Sequence, residues 1–118
     1  MESTRRLPLA GKVALVTGAG KNIGRAIALA LAVDGASVVV NGRADRVAVD
    51  GVVSEIVRAG GQAVAAMGDV SDPQVPARLA EQSAEAFGGV DILVSNAGLR
   101  RQTSFLDMIE SAHSASAR

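Results

Sequence analysis

A chain of 118 residues, 48% of them apolar, has room for one domain with a real core. A formal net charge of zero gives no electrostatic footprint for nucleic acid or a charged membrane surface. The absence of cysteine excludes disulfides, thiolate metal ligands and a thiol nucleophile, and the single histidine, His113, cannot build a histidine-based metal site alone. Residues 1–10 read as a lead-in. Arg5 and Arg6 precede only a short apolar stretch broken by Pro8, so no secretory leader is read there, and no apolar run approaches membrane-spanning length. The expectation is a soluble cytoplasmic protein without metal.

Residues 12–17 read as a short strand buried on both faces, because the apolar run within it, Val13 to Val16, is continuous rather than alternating. A glycine-spaced loop follows. Ile23, Ala26, Ile27, Ala30 and Leu31 then recur at helical spacing, predicting an apolar stripe, and Asp34-Gly35 ends the helix. Val38, Val39 and Val40 centre a second strand over 37–41, broken by Gly42-Arg43. A second helix is expected over 45–59, with Val49, Val52, Val53 and Ile56 inward and Gly60-Gly61 as its stop. Residues 62–67 read as a third strand and 68–71 as a loop. Asp72-Pro73 has the form of an N-cap followed by proline at the first helical position. Pro76 in the same turn predicts an irregular start. Val75, Leu79, Ala86 and Phe87 are expected to face inward, with Ser83 a weak point, before Gly88-Gly89 ends the helix. Residues 91–95 read as a fourth strand.

Strands alternating with helices through short connections imply a parallel sheet with right-handed crossovers. The domain is placed at 11–99. Residues 100–118 change character: a polar stretch, a possible helix start at 105–109, then a run of small residues, read as a frayed tail.

The stretch from Val13 to Gly24 packs a strand, a tight turn and a helix start into one span. In that geometry loop amides and a helix N-terminus point at one place, which suits an anionic phosphate. Glycine spacing alone is weak, because any strand-to-helix turn favours glycine for backbone reasons. The surrounding strand–helix–strand context strengthens it. A Walker A loop is excluded: Asn22 follows Gly20-Lys21, and no glycine precedes at the required distance.

Three motifs in order then give a resemblance. Thr17-Gly18-Ala19-Gly20-Lys21-Asn22-Ile23-Gly24 resembles the Thr-Gly-x-x-x-Gly-x-Gly signature of the short-chain dehydrogenase/reductase family. Asp69-Val70 after the third strand resembles the family's acidic adenine-ring contact. Ser95-Asn96-Ala97-Gly98 after the fourth resembles its Asn-Asn-Ala-Gly motif. Each stands at the carboxyl end of an expected strand, where open parallel sheets bind ligands. The resemblance covers roughly residues 9–98. It implies a Rossmann-like three-layer α/β fold with a parallel sheet in the order 3-2-1-4, cut short after the fourth strand. It also implies that Gly18, Lys21, Asn22, Ile23, Gly24, Asn41, Arg43, Asp69, Val70, Asn96, Ala97 and Gly98 form the cofactor site. Asn96 is expected to brace the sheet beneath the cofactor. Two positions depart from the family pattern. Asn22 stands where a second glycine is usual, although asparagine tolerates left-handed backbone better than other residues with a side chain. Ser95 replaces the first asparagine of the last motif.

Cofactor preference follows from charge. NAD-preferring sites place an acid near the end of the second strand to hold the ribose hydroxyls. Here that strand ends Val40-Asn41-Gly42-Arg43. Arg43 can grip a 2′-phosphate bidentately and Lys21 can approach from the glycine loop. Hydrogen bonds to charged groups contribute about 1.5–3 kcal/mol each, about tenfold or more in preference. NADP is therefore expected over NAD, against the plainer reading that both cations are ordinary surface charges. Asp69 and Asn96 also have a plainer reading as turn residues.

The family's catalytic tyrosine, with a lysine four residues later and a substrate-orienting serine, has no counterpart. The chain contains no tyrosine, and its only lysines are Lys12 and Lys21. No catalytic residue is assigned. The expectation is the cofactor-binding half of an oxidoreductase of this family, inactive as this polypeptide. Divergence after about Ile109 is of the kind a frameshift or early stop leaves. A small-molecule substrate is expected only in a full-length form, and the family's oligomerisation surface is largely missing. The open fourth strand and half-covered second face predict marginal stability or aggregation. The rival readings are a non-catalytic NADP-binding module or sensor, and an interaction fragment completed by a partner chain.

Overall fold

The computed structural model describes residues 7–96. Strands β1 (Val13–Thr17), β2 (Ser37–Gly42), β3 (Gln62–Met67) and β4 (Ile92–Ser95) alternate with helices α1 (Asn22–Val33), α2 (Arg46–Arg58) and α3 (Val75–Phe87). The sheet is parallel throughout, in the order β3-β2-β1-β4. Among the described residues β4 pairs with β1 alone.

Alternation along the central strands divides the core into two layers. Ala14, Val16, Val38 and Val40 face α1 and α2, meeting Ala28, Val49, Val52 and Ile56. Val13, Leu15 and Val39 face α3, meeting Val75, Leu79 and Ala80. Two helices thus cover one face of the sheet and the third covers the other. All five residues of β1 are buried, which explains its unbroken apolar run. Burial of each large side chain among them contributes about 1.5–3 kcal/mol.

The face α1 presents is not the expected stripe. Gly24 and Ala28 are its buried residues, Ile27 and Leu31 are half-buried, and Ile23, Ala26 and Ala30 are exposed. The helix is apolar around nearly its whole circumference, so hydrophobic spacing does not select a face. Size does. A Cβ at Gly24 would stand 2.1 Å from the Gly18 carbonyl oxygen, so only glycine permits this approach.

The start of α3 also differs. Asp72 does not cap the helix. Its carboxylate accepts from the Gln74 amide (3.0 Å) and its carbonyl from the Val75 amide (3.0 Å), forming a separate turn before the helix begins at Val75. Pro76 then falls in the first helical turn, where a missing N–H costs no internal bond. Ala80 is buried beside Val75, Leu79 and Ser83, and Ala86 is exposed. Ser83 is no weak point: it is buried with its hydroxyl donating to the Leu79 carbonyl at 2.8 Å. Gly88, at φ 94°, closes the helix as expected.

Candidate functional site

Every strand runs in the same direction, so their carboxyl ends lie along one edge, and a chain of hydrogen bonds ties that edge together. The Asn96 amide donates to Thr17 Oγ1 (2.9 Å), and Asn96 Nδ2 donates to the Gly18 carbonyl (3.2 Å). Ala19 N–H donates to the Asn41 carbonyl (2.8 Å). Asn41 Nδ2 in turn donates to the carbonyls of Ala66 (2.8 Å) and Gly68 (3.1 Å). The β1–α1 loop is thus pinned from β4 on one side and from β2 on the other. Asn41 extends the connection to β3.

This loop forms one wall of a cavity of about 580 Å³, within the range of about 300–1,000 Å³ usual for small-molecule sites. The loop and the start of α1 contribute Gly18, Gly20, Lys21, Asn22 and Ile23. The end of β2 and the first turn of α2 contribute Gly42, Arg43, Ala44, Asp45, Ala48 and Val49, and Asn96 enters from the end of β4. Gly42 permits a second close approach: a Cβ there would stand 2.3 Å from Val49 Cγ2. Two helix N-termini open onto the cavity. Lys21 precedes α1 with extended backbone (φ −157°, ψ 168°), no side chain caps that helix, and no acid lies in its first turn. Asp45 caps α2, its Oδ1 accepting from the Ala48 amide at 3.0 Å. The Asp45 Oδ2 lies 3.9 Å from Lys21 Nζ, across the mouth.

Of the residues named from the sequence, Gly18, Lys21, Asn22, Ile23, Arg43 and Asn96 line the cavity. Gly24 lies behind the wall, where its missing side chain lets α1 meet the loop. Asn41 does not line it. The residue is 1% exposed and its carboxamide is turned into the sheet end. Asp69 and Val70 are also outside the lining. Val70 packs on the α3 layer. Asp69 accepts from the hydroxyl (2.7 Å) and amide (2.9 Å) of Ser71. Those bonds, the hydroxyl's first, hold its carboxyl below the usual carboxylate range, with the positive charge of Arg43 a smaller contribution in the same direction. Asp69 is therefore an anion at neutral pH. Ala97 and Gly98 lie outside the described residues.

Gly20, Gly42, Ala44, Ala48 and Val49 also line the cavity without having been named for the site, and the charged residue missed is Asp45. It was placed as a helix start, and its two-residue distance from Arg43 was the available signal for a place in the cavity. Among the described residues no group of three or more His, Cys, Asp and Glu side chains can hold a metal ion. No described helix is long and apolar enough to cross a membrane.

A parallel sheet in the order 3-2-1-4 with a glycine loop at its carboxyl edge defines a Rossmann-like protein. More narrowly, a family model described as short chain dehydrogenase matches residues 12–116, and the chain belongs to that family of NAD(P)-binding oxidoreductases. It is 50% identical over 99 residues to versicolorin reductase from Emericella nidulans, covering 84% of this chain and 38% of that protein. It is 44% identical over 100 residues to the 3-oxoacyl-(acyl-carrier-protein) reductase of Synechocystis, covering 85% of this chain and 40% of that protein. A solved dehydrogenase/reductase from Sinorhizobium meliloti superposes with a TM-score of 0.74 at 46% identity, covering 76% of this chain and 36% of that one. The chain thus spans about 40% of the length of the curated relatives it matches.

Proposed function

We propose that this chain is the cofactor-binding half of a short-chain dehydrogenase/reductase, that it prefers NADP to NAD, and that this polypeptide alone does not carry out hydride transfer. The observation that supports the reading is the meeting of Lys21 and Arg43 in one cavity beside the uncapped N-terminus of α1. Amides without a capping side chain suit the pyrophosphate, and the two cations suit a 2′-phosphate. Close approach of a phosphate to the loop needs the backbone unobstructed, and Gly18 and Gly20 provide that along the wall. The bound dinucleotide supplies the hydride donor or acceptor. The residues of this chain bind and orient it, with Asn96 holding the loop through the Gly18 carbonyl.

The sequence supports the absence of turnover. With no tyrosine, it lacks the family's Tyr-x-x-x-Lys pair, and no described group replaces it. The relatives are named as reductases, so the substrate class of a full-length form is a carbonyl compound. Calorimetric titration of NADPH and NADH into the purified chain, beside its size-exclusion profile, tests the reading. NADPH is expected to bind more tightly, and neither carbonyl reduction nor NADPH oxidation is expected. Arg43→Ala should weaken NADPH by about tenfold, the loss of one hydrogen-bonded charge contact, and leave NADH nearly unchanged. An unchanged affinity ratio overturns the assignment of Arg43.

A further inference from the structure

The cavity carries its own anion. Asp45 stands at the N-terminus of α2 with one carboxylate oxygen on the Ala48 amide and the other directed toward Lys21, 3.9 Å from its ammonium. Lys21 is one of the two cations offered to a ligand there, Arg43 being the other. Both partners of the pair are largely exposed, at 71% and 54% of their side chains, so the pair is screened and easily exchanged. It stands where a more highly charged group would compete for the same lysine.

We infer that Asp45 is a specificity-determining residue that moderates the preference of this site between dinucleotides with and without a 2′-phosphate. The inference rests on the reading of the cavity as a dinucleotide site. A phosphate arriving at Arg43 draws Lys21 away from Asp45 and is repelled by the carboxylate left behind. A ribose carrying a 2′-hydroxyl leaves the Lys21–Asp45 pair intact and meets no such repulsion. Asp45 therefore weakens the phosphorylated ligand selectively. Its capping bond to the Ala48 amide favours keeping the carboxylate at this position.

The fragments 2′,5′-ADP and 5′-AMP share the adenosine and differ at the 2′ position, and both can be titrated calorimetrically into the intact chain. Asp45→Asn removes the charge and keeps a good N-cap, so the unfolding midpoint should hold. The variant is expected to bind 2′,5′-ADP about three- to tenfold more tightly and 5′-AMP within about twofold of the unsubstituted chain, the difference shrinking as salt is raised. Asp50→Asn makes the same change of net charge on α2, where Asp50 pairs with Arg46 and does not line the cavity, and it should move neither affinity. If both fragments bind and Asp45→Asn leaves their ratio unchanged or lowers it, the inference is overturned while the cofactor reading stands. If Asp50→Asn shifts the ratio equally, the effect is one of net charge and the inference is also overturned. If neither fragment binds the unsubstituted chain, the cofactor reading falls, and the inference with it.

Discussion

Two helices present their N-termini to the same cavity and are finished in opposite ways. At α1 the residue before the helix is Lys21, with backbone in the extended region, no capping side chain and no acid in the first turn. At α2 the corresponding residue is Asp45, whose carboxylate bonds the Ala48 amide. Both ends carry unpaired amides and a partial positive charge by virtue of being helix N-termini. Only α2 satisfies one of them with a capping side chain of its own. An absent N-cap costs about 0.5–2 kcal/mol, a stability that α1 forgoes. On the proposed reading, the uncapped end of α1 is the one left open to an outside anion, while the capped end of α2 holds the fold. That difference also explains the distribution of glycine. The loop before α1 is glycine-rich and bare, whereas α2 starts from an ordinary polar turn.

The comparison is broken most completely at Gly24. A Cβ there would stand 2.1 Å from the Gly18 carbonyl oxygen, with Asn96 Nδ2 at 2.8 Å, and two of the three nearest atoms are backbone. Gly24→Ala should push α1 off the loop, lowering unfolding free energy by about 3 kcal/mol in urea titration and removing detectable NADPH binding. Next in size is the conversion of one helix end into the other. Lys21 already has the extended backbone that a capping residue uses. Lys21→Ser should therefore stabilise the chain by about 1 kcal/mol, while NADPH binding weakens by about tenfold through loss of the ammonium. Stability and affinity moving in the same direction would show that the bare end of α1 is not fitted to an anion. The reverse exchange, Asp45→Ala, should lower stability by about 1 kcal/mol, measured the same way, because the Ala48 amide loses its partner.

Legibility in the sequence followed the physical origin of each feature. The buried parallel strands were readable because strands covered on both faces leave continuous apolar runs, as in Val38-Val39-Val40, whereas their order came only from the family resemblance. The face of α1 was not readable, since its contact is decided by the smallness of Gly24 and Ala28 and not by hydrophobic spacing. The start of α3 was misplaced because Asp72-Pro73 carries the composition of a cap while its carboxylate closes a turn. In the site, the residues of the glycine loop were legible because the strand–helix–strand context and two further motifs in order supported a spacing that is weak alone. Asn41 was named for the cofactor site yet does not line the cavity, since its partners, the carbonyls of Ala66 in β3 and Gly68 just beyond it, come from a stretch about 25 residues later. Asp45 was hidden. In the sequence it was only the first residue of an expected helix, and the capping bond and the spatial approach of Lys21 appear only in the fold.

The smallest expected effect sharpens the comparison at its finest point. Asn22, the first residue of α1, is the one described residue with a side chain held at positive φ, 57°. A left-handed conformation costs an ordinary residue roughly 1–2 kcal/mol, less for asparagine. Asn22→Ala should accordingly lose about 1 kcal/mol of stability. Asn22→Gly relieves the same strain but enlarges the freedom of the unfolded chain, so the two contributions offset and stability should stay within about 0.5 kcal/mol. Recognition at this end is attributed to loop amides and Lys21, so the glycine variant should also keep its NADPH affinity within about twofold, a change of under about 0.5 kcal/mol. A larger fall in affinity without a fall in stability would place the Asn22 carboxamide among the groups that hold the ligand. The end of α1 would then resemble that of α2 in relying on a side chain, and the contrast between a bare end and a capped one would no longer describe the cavity.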